Sequence, residues 1–260
     1  MNIKKIKSVY FSPNGGSEKI IRTVVNALGK YEVEEYNQTM KKDRTGEIEV
    51  LKDEILVICF PVYADRIPSV ADDIINRIKG KNGLAVVLVS YGNRDYGDAL
   101  LELKNKINAR GFKVIGAAAA IAEHCLNTNI ATSRPDDIDK EKLDAFASQI
   151  NFKISTIHNY AYLKEVNVKG NYPYSPYKSQ RTPVGDDKCI QCGLCFKNCP
   201  TGAIDKDDYR KTDKDLCIFC GRCIQVCPTN ARDIKDKDFL QFMNELEKRC
   251  EARKEVKAFI

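Results

Sequence analysis

The sequence lacks any apolar run long enough to cross a membrane. Its longest apolar stretches, such as Leu84–Val89, have the length of a β-strand, whereas a spanning helix needs about 20 apolar residues. The early residues hold no basic segment joined to an apolar core, so we expect no signal peptide. No basic run with interleaved aromatic residues is present, which argues against a nucleic-acid partner. No G-x-G-x-x-G motif follows a predicted strand, which disfavours a nicotinamide dinucleotide site.

Cysteine, by contrast, is abundant, with 11 residues in a chain of 260. Eight of them form two copies of the run C-x2-C-x2-C-x3-C-P, which begin at Cys189 and Cys217. Nine of sixteen aligned positions are identical, so the second copy is an internal repeat of the first. This doubled spacing is typical of proteins that hold two 4Fe-4S clusters. Zinc sites use four ligands in paired C-x2-C hooks, and disulfides need an oxidising compartment, so we disfavour both alternatives.

The spacing also predicts which cysteines share a cluster, because the fourth cysteine of each run binds the cluster of the other run. The ligands predicted for cluster 1 are Cys189, Cys192, Cys195 and Cys227. The ligands predicted for cluster 2 are Cys199, Cys217, Cys220 and Cys223. Pro200 and Pro228 stiffen the end of each run. Gly193 and Gly221 allow the backbone to approach the cluster closely at positive φ.

The part of the chain before the cysteine runs alternates strand and helix patterns. The predicted strands are Ile6–Ser12, Glu32–Tyr36, Ile55–Phe60, Leu84–Ser90 and Phe112–Ala119. The predicted helices are Ser17–Leu28, Ser69–Ile78, Tyr96–Arg110 and a long helix within Pro135–Tyr160. Because continuous apolar strands are buried on both faces, they indicate a parallel sheet covered by helices. We predict an α/β doubly wound parallel five-stranded sheet of order 2-1-3-4-5, with its ligand at the carboxyl ends of the strands.

We predict four segments along the chain. The α/β domain covers residues 1–163, and a linker rich in proline and tyrosine covers 164–184. A small α+β domain with both clusters covers 185–235, and a docking helix covers 236–260. An apolar stripe recurs on one face of that helix, at Phe239, Met243, Leu246 and Cys250. The linker is expected to fold back, because fast electron transfer needs the cofactors close together.

Three loops at the predicted carboxyl edge carry candidate cofactor-binding residues. The loop after the first strand presents small residues at a helix N-terminus, which suits a phosphate; the alternative is an ordinary glycine-rich turn capped by Ser17. The next two loops carry aromatic rings that could stack on a flavin or simply pack the sheet edge, and backbone groups near Ala64 and Asn93 could hydrogen-bond the flavin ring. The candidates are Ser12, Asn14, Gly15, Gly16, Ser17, Pro61, Val62, Tyr63, Ala64, Ser90, Tyr91, Gly92, Asn93 and Tyr96.

These motifs carry a resemblance to a known family. The segments FSPNGGSEK, FPVYADRIP, VSYGNRDYGDALLELK, AEHC and SRPDD, together with both cysteine runs, resemble the fused flavodoxin–ferredoxin proteins of anaerobic bacteria and archaea, the EFR-type ferredoxins. The resemblance covers nearly the whole chain and implies a flavodoxin-like domain that binds FMN. One departure is that Asn14 and Ser17 stand where the phosphate loop of flavodoxins usually has threonines, although both still offer hydrogen bonds.

Smaller signals concern single residues. Glu123 and His124 follow the fifth predicted strand, and His124 and Tyr91 are candidate proton donors. The alternative for Glu123 and His124 is a surface pair that closes a loop. Cys59 ends an apolar strand and is predicted to be a buried core thiol. A redox role for Cys125 is left open, because thiol reactivity requires exposure and a lowered pKa.

The sequence supports three functions. The first is an electron-transfer protein that passes single electrons between two 4Fe-4S clusters and FMN and docks on a redox protein partner. The second is an FMN-dependent reductase of a small molecule, such as a quinone, a nitro compound or an enone. The third is a non-catalytic redox sensor or adaptor.

Charge and location complete the prediction. We expect a cytoplasmic protein of an anaerobic host, because thiolate ligands persist under reducing conditions and exposed clusters are sensitive to oxygen. The net charge of +6 would be offset by about −2 from each cluster and from the flavin phosphate. The oligomeric state is left open, with a homodimer as one option.

Overall fold

The computed structural model describes residues 3–80, 82–157, 159–160, 163–176 and 181–260. Its strands are β1 Lys5–Tyr10, β2 Glu32–Asn37, β3 Ile48–Val50, β4 Glu54–Pro61, β5 Ile78–Gly80, β6 Gly83–Tyr91, β7 Phe112–Ile121, β8 Val184–Gly185, β9 Arg232–Asp233 and β10 Lys257–Phe259. Its helices are α1 Gly16–Leu28, α2 Ala71–Asn76, α3 Ala99–Ala109, α4 Asp137–Thr156, α5 Leu194–Lys197, α6 Arg222–Gln225 and α7 Lys237–Arg249, with a short 3-10 helix at Lys41–Asp43.

Six strands form the main sheet, in the order β10-β7-β6-β4-β1-β2. Of these, β1, β2, β4, β6 and β7 run parallel and correspond to the five predicted strands. The predicted order 2-1-3-4-5 is therefore confirmed. The sequence did not predict β10, which pairs antiparallel with β7 and sets Lys257 opposite Ala119. It also missed β3 and β5, which form a separate two-stranded sheet, because three-residue strands carry too little pattern to detect.

Helices cover both faces of the main sheet. Every residue of β4 and β6 is buried, as the continuous apolar runs predicted. The helices α1 and α4 pack on one face, and α2 and α3 pack on the other. No helix in the described part of the chain is long and apolar enough to cross a membrane. The carboxyl edge of the parallel strands is left as the place where a ligand can enter.

The C-terminal segment corrects the prediction of one helix over residues 236–260. The helix α7 ends before Cys250, and the chain turns back to the sheet to form β10. Asn93 provides the physical reason for the turn. Its amide donates to the carbonyl oxygens of Cys250 and Ala252, at 2.7 Å and 3.0 Å, and its Oδ1 accepts from the backbone N–H of Lys254 at 3.1 Å. The predicted apolar stripe is nevertheless buried, in a small core of its own.

The described part of the predicted linker packs against the α/β domain, whereas residues 177–180 lie outside the described residues. The Asp98 carboxylate accepts hydrogen bonds from the backbone N–H groups of Asn171 and Ser175, both at 2.7 Å. The Arg66 guanidinium lies over the ring of Tyr174, 4.9 Å from its centroid. This segment therefore folds back onto the domain, while the domain boundaries themselves stay a prediction.

Candidate cofactor sites

A cavity of about 380 Å³ lies at the carboxyl ends of β1, β4, β6 and β7. All of the predicted cofactor-binding residues line it, except Gly15, Asn93 and Tyr96. Polar residues of the loop after β1 thus meet aromatic residues of the loops after β4 and β6 in one cavity. This combination of surfaces suits a ligand that has both a phosphate group and a flat ring.

The loop between β1 and α1 is shaped for close backbone contact. Gly15 has a φ of 83° at the start of α1. A Cβ on Gly16 would lie only 2.7 Å from the Cβ of Ala122, so a larger residue would push α1 away from the loop after β7. Ser17 does not cap the helix, because α1 begins at Gly16 and its N-cap residue is Gly15. The hydroxyl of Ser17 instead lies 2.8 Å from the hydroxyl of Ser90. This hydrogen bond joins two of the three predicted loops.

Two predicted side chains support the cavity instead of lining it. The ring of Tyr96 packs edge-on against Tyr91, with 5.7 Å between the centroids. Asn93 is only 3% exposed and uses its side chain to hold the segment after α7. The loop after β6 therefore has two roles, since it carries Tyr91 into the cavity wall and anchors the C-terminal segment.

His124 and Tyr91, the candidate proton donors, both line the cavity. The Nδ1 of His124 accepts from the backbone N–H groups of Leu126 and Asn127, each at 3.2 Å, so the ring proton lies on Nε2. Burial, with the charge of Arg94 as a second cause, lowers the pKa of His124 to about 4. Burial raises the pKa of Tyr91 to about 12. At neutral pH both side chains are therefore uncharged and able to donate a hydrogen bond.

The helix α7 closes one side of the cavity, which the sequence did not predict. Its lining residues are Phe239, Phe242, Met243 and Leu246, and Ile218 and Phe219 of the second cysteine run join them. The apolar stripe on α7 could have revealed this contact, since three of its four members line the cavity. The surface that the stripe contacts, however, could not be read from the stripe itself. It depends on the turn after α7, which Asn93 holds.

The cysteines predicted for cluster 1 surround a common space. A small cavity is lined by Cys189, Cys192, Cys195 and Cys227 together. Cys227 comes from the second run, so the fold brings the fourth cysteine of one run to the first three of the other. Cys192 is exposed, whereas Cys195 is buried. This set therefore lies near the protein surface.

The cysteines predicted for cluster 2 also lie together. Cys199 of the first run is close enough to Cys217, Cys220 and Cys223 for their charges to interact. Burial, and after it the repulsion among these thiols, raises the pKa of Cys223 to about 11. Among the described residues, no three Cys, His, Asp or Glu side chains are spaced to hold a single metal ion.

The surroundings of Arg232 show whether negatively charged clusters fit the two predicted ligand sets. The side chain is only 2% exposed, and its guanidinium donates to Tyr209, Thr212 and Pro183. Its Nε has no hydrogen-bond partner, and no carboxylate pairs with it among the described residues. Its charge lowers the pKa of Cys223, whereas burial raises that pKa. A buried, unpaired cation is costly, so the anionic clusters of the predicted ligand sets would supply the charge that Arg232 lacks.

The second cysteine run forms part of the wall of the large cavity. The Nδ2 of Asn14 donates to the carbonyl oxygen of Cys220 at 2.6 Å. A Cβ on Gly221, which has a φ of 71°, would lie 2.4 Å from the carbonyl oxygen of Cys125. Tyr63 lies near both Cys220 and Cys125. The cavity and the cysteines of cluster 2 are therefore neighbours, with the cysteines of cluster 1 farther out.

The remaining candidates are placed as follows. Cys59 is fully buried, as predicted for a core thiol, and burial raises its pKa. Cys125 lines the cavity, and burial raises the pKa of its thiol to about 12, which disfavours a reactive thiolate. Glu123 also lines the cavity and accepts from the backbone N–H of Ser133 at 2.9 Å.

Comparison with protein families identifies the cysteine-rich segment. Residues 188–231 match the 4Fe-4S dicluster domain. The matched segment contains all eight cysteines of the two runs, so the chain carries a domain for two 4Fe-4S clusters. Comparison with curated proteins found no match.

Several solved structures are similar to part of the chain. A flavodoxin from the domain Archaea is 13% identical with a TM-score of 0.42, covering 58% of this chain and 99% of that chain. A Fusobacterium nucleatum flavodoxin bound to flavin mononucleotide is 12% identical with a TM-score of 0.41, covering 58% and 99%. An NADH:FMN oxidoreductase in its apo form, EmoB, is 10% identical with a TM-score of 0.45, covering 62% and 95%.

The strand order and the matched segment define the class of this protein. It joins a flavodoxin-like α/β domain to a 4Fe-4S dicluster domain in one chain. This is the fused flavodoxin–ferredoxin architecture that the sequence motifs resemble, while membership of the EFR-type group stays a prediction.

Proposed function

We propose that this protein is an electron-transfer flavoprotein that connects FMN to two 4Fe-4S clusters. The observation that carries the proposal is the contact between the second cysteine run and the cavity at the carboxyl edge of the sheet. Ile218 and Phe219 line the cavity, and the neighbouring Cys220 is hydrogen-bonded to the loop after β1. A flavin can exchange one or two electrons and a cluster exchanges one, so their proximity suits conversion between single and paired electrons.

The described residues fit an FMN molecule in the large cavity. Ser12 and Ser17 line it from the loop at the start of α1, where backbone N–H groups favour a phosphate. Tyr63 and Tyr91 line it with aromatic rings against which a flat ring could stack. The Oδ1 of Asn14 is buried and finds no partner in the described part of the chain, which is the expected state of a group whose partner belongs to a ligand.

The cysteine positions support a linear arrangement of the cofactors. Cluster 2 would lie between the flavin and cluster 1, and cluster 1 would lie nearest the surface, beside the exposed Cys192. Ile190 and Phe196 of the same run are 64% and 38% exposed. We propose that a redox protein partner binds at this end of the molecule. We also propose that the protein works in a reducing cytoplasm.

A second candidate function is the reduction of a small apolar acceptor at the flavin. It is favoured by the apolar side chains of α7, such as Phe239 and Phe242, which line the same cavity. His124 and Tyr91 would then donate hydrogen bonds, or a proton, to the acceptor.

Anaerobic purification with assays of iron, sulfide and released flavin tests the proposal. About eight iron atoms and one FMN per chain, both responding to stepwise reduction, are expected. Full iron content without flavin, even after FMN is added, would refute it and leave an adaptor attached to a ferredoxin. To separate the two functions, turnover is measured with quinone, nitro and enone acceptors and with low-potential protein acceptors. Saturation by a small molecule would identify a reductase, and fast exchange with proteins alone would identify a carrier.

A further inference from the structure

Asn14 links the two halves of the molecule through a single side chain. It lies in the loop between β1 and α1 and lines the large cavity. Its Nδ2 donates to the carbonyl oxygen of Cys220, 206 residues farther along the chain, at 2.6 Å. Because a carbonyl oxygen only accepts, this bond fixes the orientation of the amide. The nitrogen faces the ligand run of cluster 2, and the oxygen must find its partner elsewhere.

The amide oxygen of Asn14, unlike its nitrogen, lacks a hydrogen-bond partner in the described part of the chain. This atom, Oδ1, is also buried. A phosphate oxygen cannot satisfy it, because both atoms are acceptors. A hydroxyl group can, and the chain that joins the ring of FMN to its phosphate carries hydroxyls. The geometry therefore favours a hydroxyl donor at this atom, with the phosphate held by the backbone and the serines of the same loop.

We propose that Asn14 couples flavin binding to the redox state of cluster 2, an inference that rests on the proposed function. The positive end of the N–H dipole points at the backbone carbonyl oxygen of Cys220, a predicted ligand of cluster 2. It would stabilise negative charge on a cluster held there and so raise the reduction potential of that cluster. A ligand hydroxyl that donates to Oδ1 polarises the amide and strengthens the N–H···O bond. FMN therefore raises the potential of cluster 2, and reduction of cluster 2 tightens FMN by the same factor, because such coupling is reciprocal.

Two arginines near cluster 2 lack this double contact. Arg44 donates to the carbonyl oxygen of Pro200 at 2.8 Å, and Arg232 lies beside Cys223. Neither lines the cavity. Both would act on the cluster in the same way whether or not a flavin is bound. Tyr63 lines the cavity near Cys220, but among the described residues its hydroxyl makes no hydrogen bond to the second cysteine run. The flavin-dependent part of the potential is therefore assigned to Asn14, whose side chain makes that bond.

The test is a redox titration of the full chain with both clusters loaded, monitored by EPR with and without FMN. The variant is Asn14→Ala. The matched control is Asn151→Ala, because Asn151 also donates to a backbone carbonyl, that of Leu28, at 3.2 Å, and also has an unpartnered Oδ1. FMN affinity is measured in parallel with the clusters oxidised and reduced.

We expect FMN to raise the midpoint potential of cluster 2 and to bind at least about fivefold more tightly when that cluster is reduced. In Asn14→Ala the midpoint of cluster 2 falls even without FMN, that of cluster 1 is unchanged, and the affinity ratio approaches one. Asn151→Ala behaves as the wild type. An unchanged midpoint of cluster 2 and an unchanged affinity ratio in Asn14→Ala would overturn the inference.

The outcomes separate this inference from the proposed function. If the wild type binds no FMN, the proposed function and the coupling both fail, and the flavin-free midpoint still reports the contact with Cys220. If the wild type binds FMN with equal affinity in both redox states, only the coupling fails. If Asn14→Ala does not accumulate with both clusters, Asn14→Asp replaces it, since a carboxylate of similar size cannot donate to Cys220 and must also lower the midpoint.

Discussion

Replacing Asn93 with glycine should free the C-terminal segment from the loop after β6. Asn93 makes three hydrogen bonds to that segment, and its φ of 55° lies in the left-handed region. Glycine adopts this φ without strain, so the exchange removes the hydrogen bonds and leaves the backbone geometry intact. Alanine would add strain and confuse the two effects.

The expected magnitude follows from the number of bonds. An intramolecular hydrogen bond contributes about 1 kcal/mol net, so the loss of all three should lower the free energy of local opening by about 3 kcal/mol. About 1.4 kcal/mol is a tenfold change in an equilibrium constant. The backbone N–H of Lys254 donates a hydrogen bond to Asn93 in the wild type, and in the variant its hydrogen should exchange on the order of 100-fold faster.

Hydrogen exchange followed by mass spectrometry is the direct assay, on the anaerobic, cluster-loaded protein. Peptides that cover residues 250–259 should lose protection in Asn93→Gly, while those from β4 and β6 keep it. The matched control is Asn129→Ala, which removes an exposed contact with Glu247 of α7 and should change protection by less than about 0.5 kcal/mol. Equal protection in Asn93→Gly and Asn129→Ala would refute the argument that Asn93 holds the segment.

Three other predictions concern the cofactor sites. Gly16→Val should release FMN and leave the iron content unchanged, because the new side chain meets Ala122; retained flavin in a filtration assay would place the phosphate elsewhere. Cys199→Ala should remove the EPR signal of the cluster that Cys217 helps to hold; selective loss of the other cluster would exclude the crossed pairing. Because its pKa is lowered from 6.5 to about 4, His124 should make stability fall as the pH drops between those values, since the unfolded state binds the proton first. His124→Gln should flatten that part of the unfolding profile, and an unflattened profile would contradict the assignment.

Much of the site could be predicted because its signals are local. The cysteine spacing identified the dicluster domain, since cluster ligands must fall at fixed positions of a short loop. The continuous apolar strands predicted a parallel sheet, because a strand such as β4 that is buried on both faces requires helices on both sides. The strand order was predicted from the usual arrangement of doubly wound sheets. The loops at the carboxyl edge then followed from the topology of the sheet.

The missed features depend on contacts between distant residues. The strand β10 is three residues long and has no pattern of its own, and the turn that leads to it is set by Asn93, which lies some 160 residues earlier. The position of α7 against the cavity follows from the same turn. An amphipathic stripe predicts that a helix packs, but the surface it packs against is decided by tertiary contacts.

The buried, unpaired cation at Arg232 has a consequence for assembly. Without the clusters, the described residues around it would enclose a positive charge and supply no carboxylate to balance it. The dicluster domain would then be poorly stable as an apo-protein. Because the second cysteine run also supplies part of the cavity wall, delivery of iron and sulfide should precede stable loading of the flavin. The burial of Arg232 would then determine the order in which the cofactors are inserted, with the clusters before the flavin.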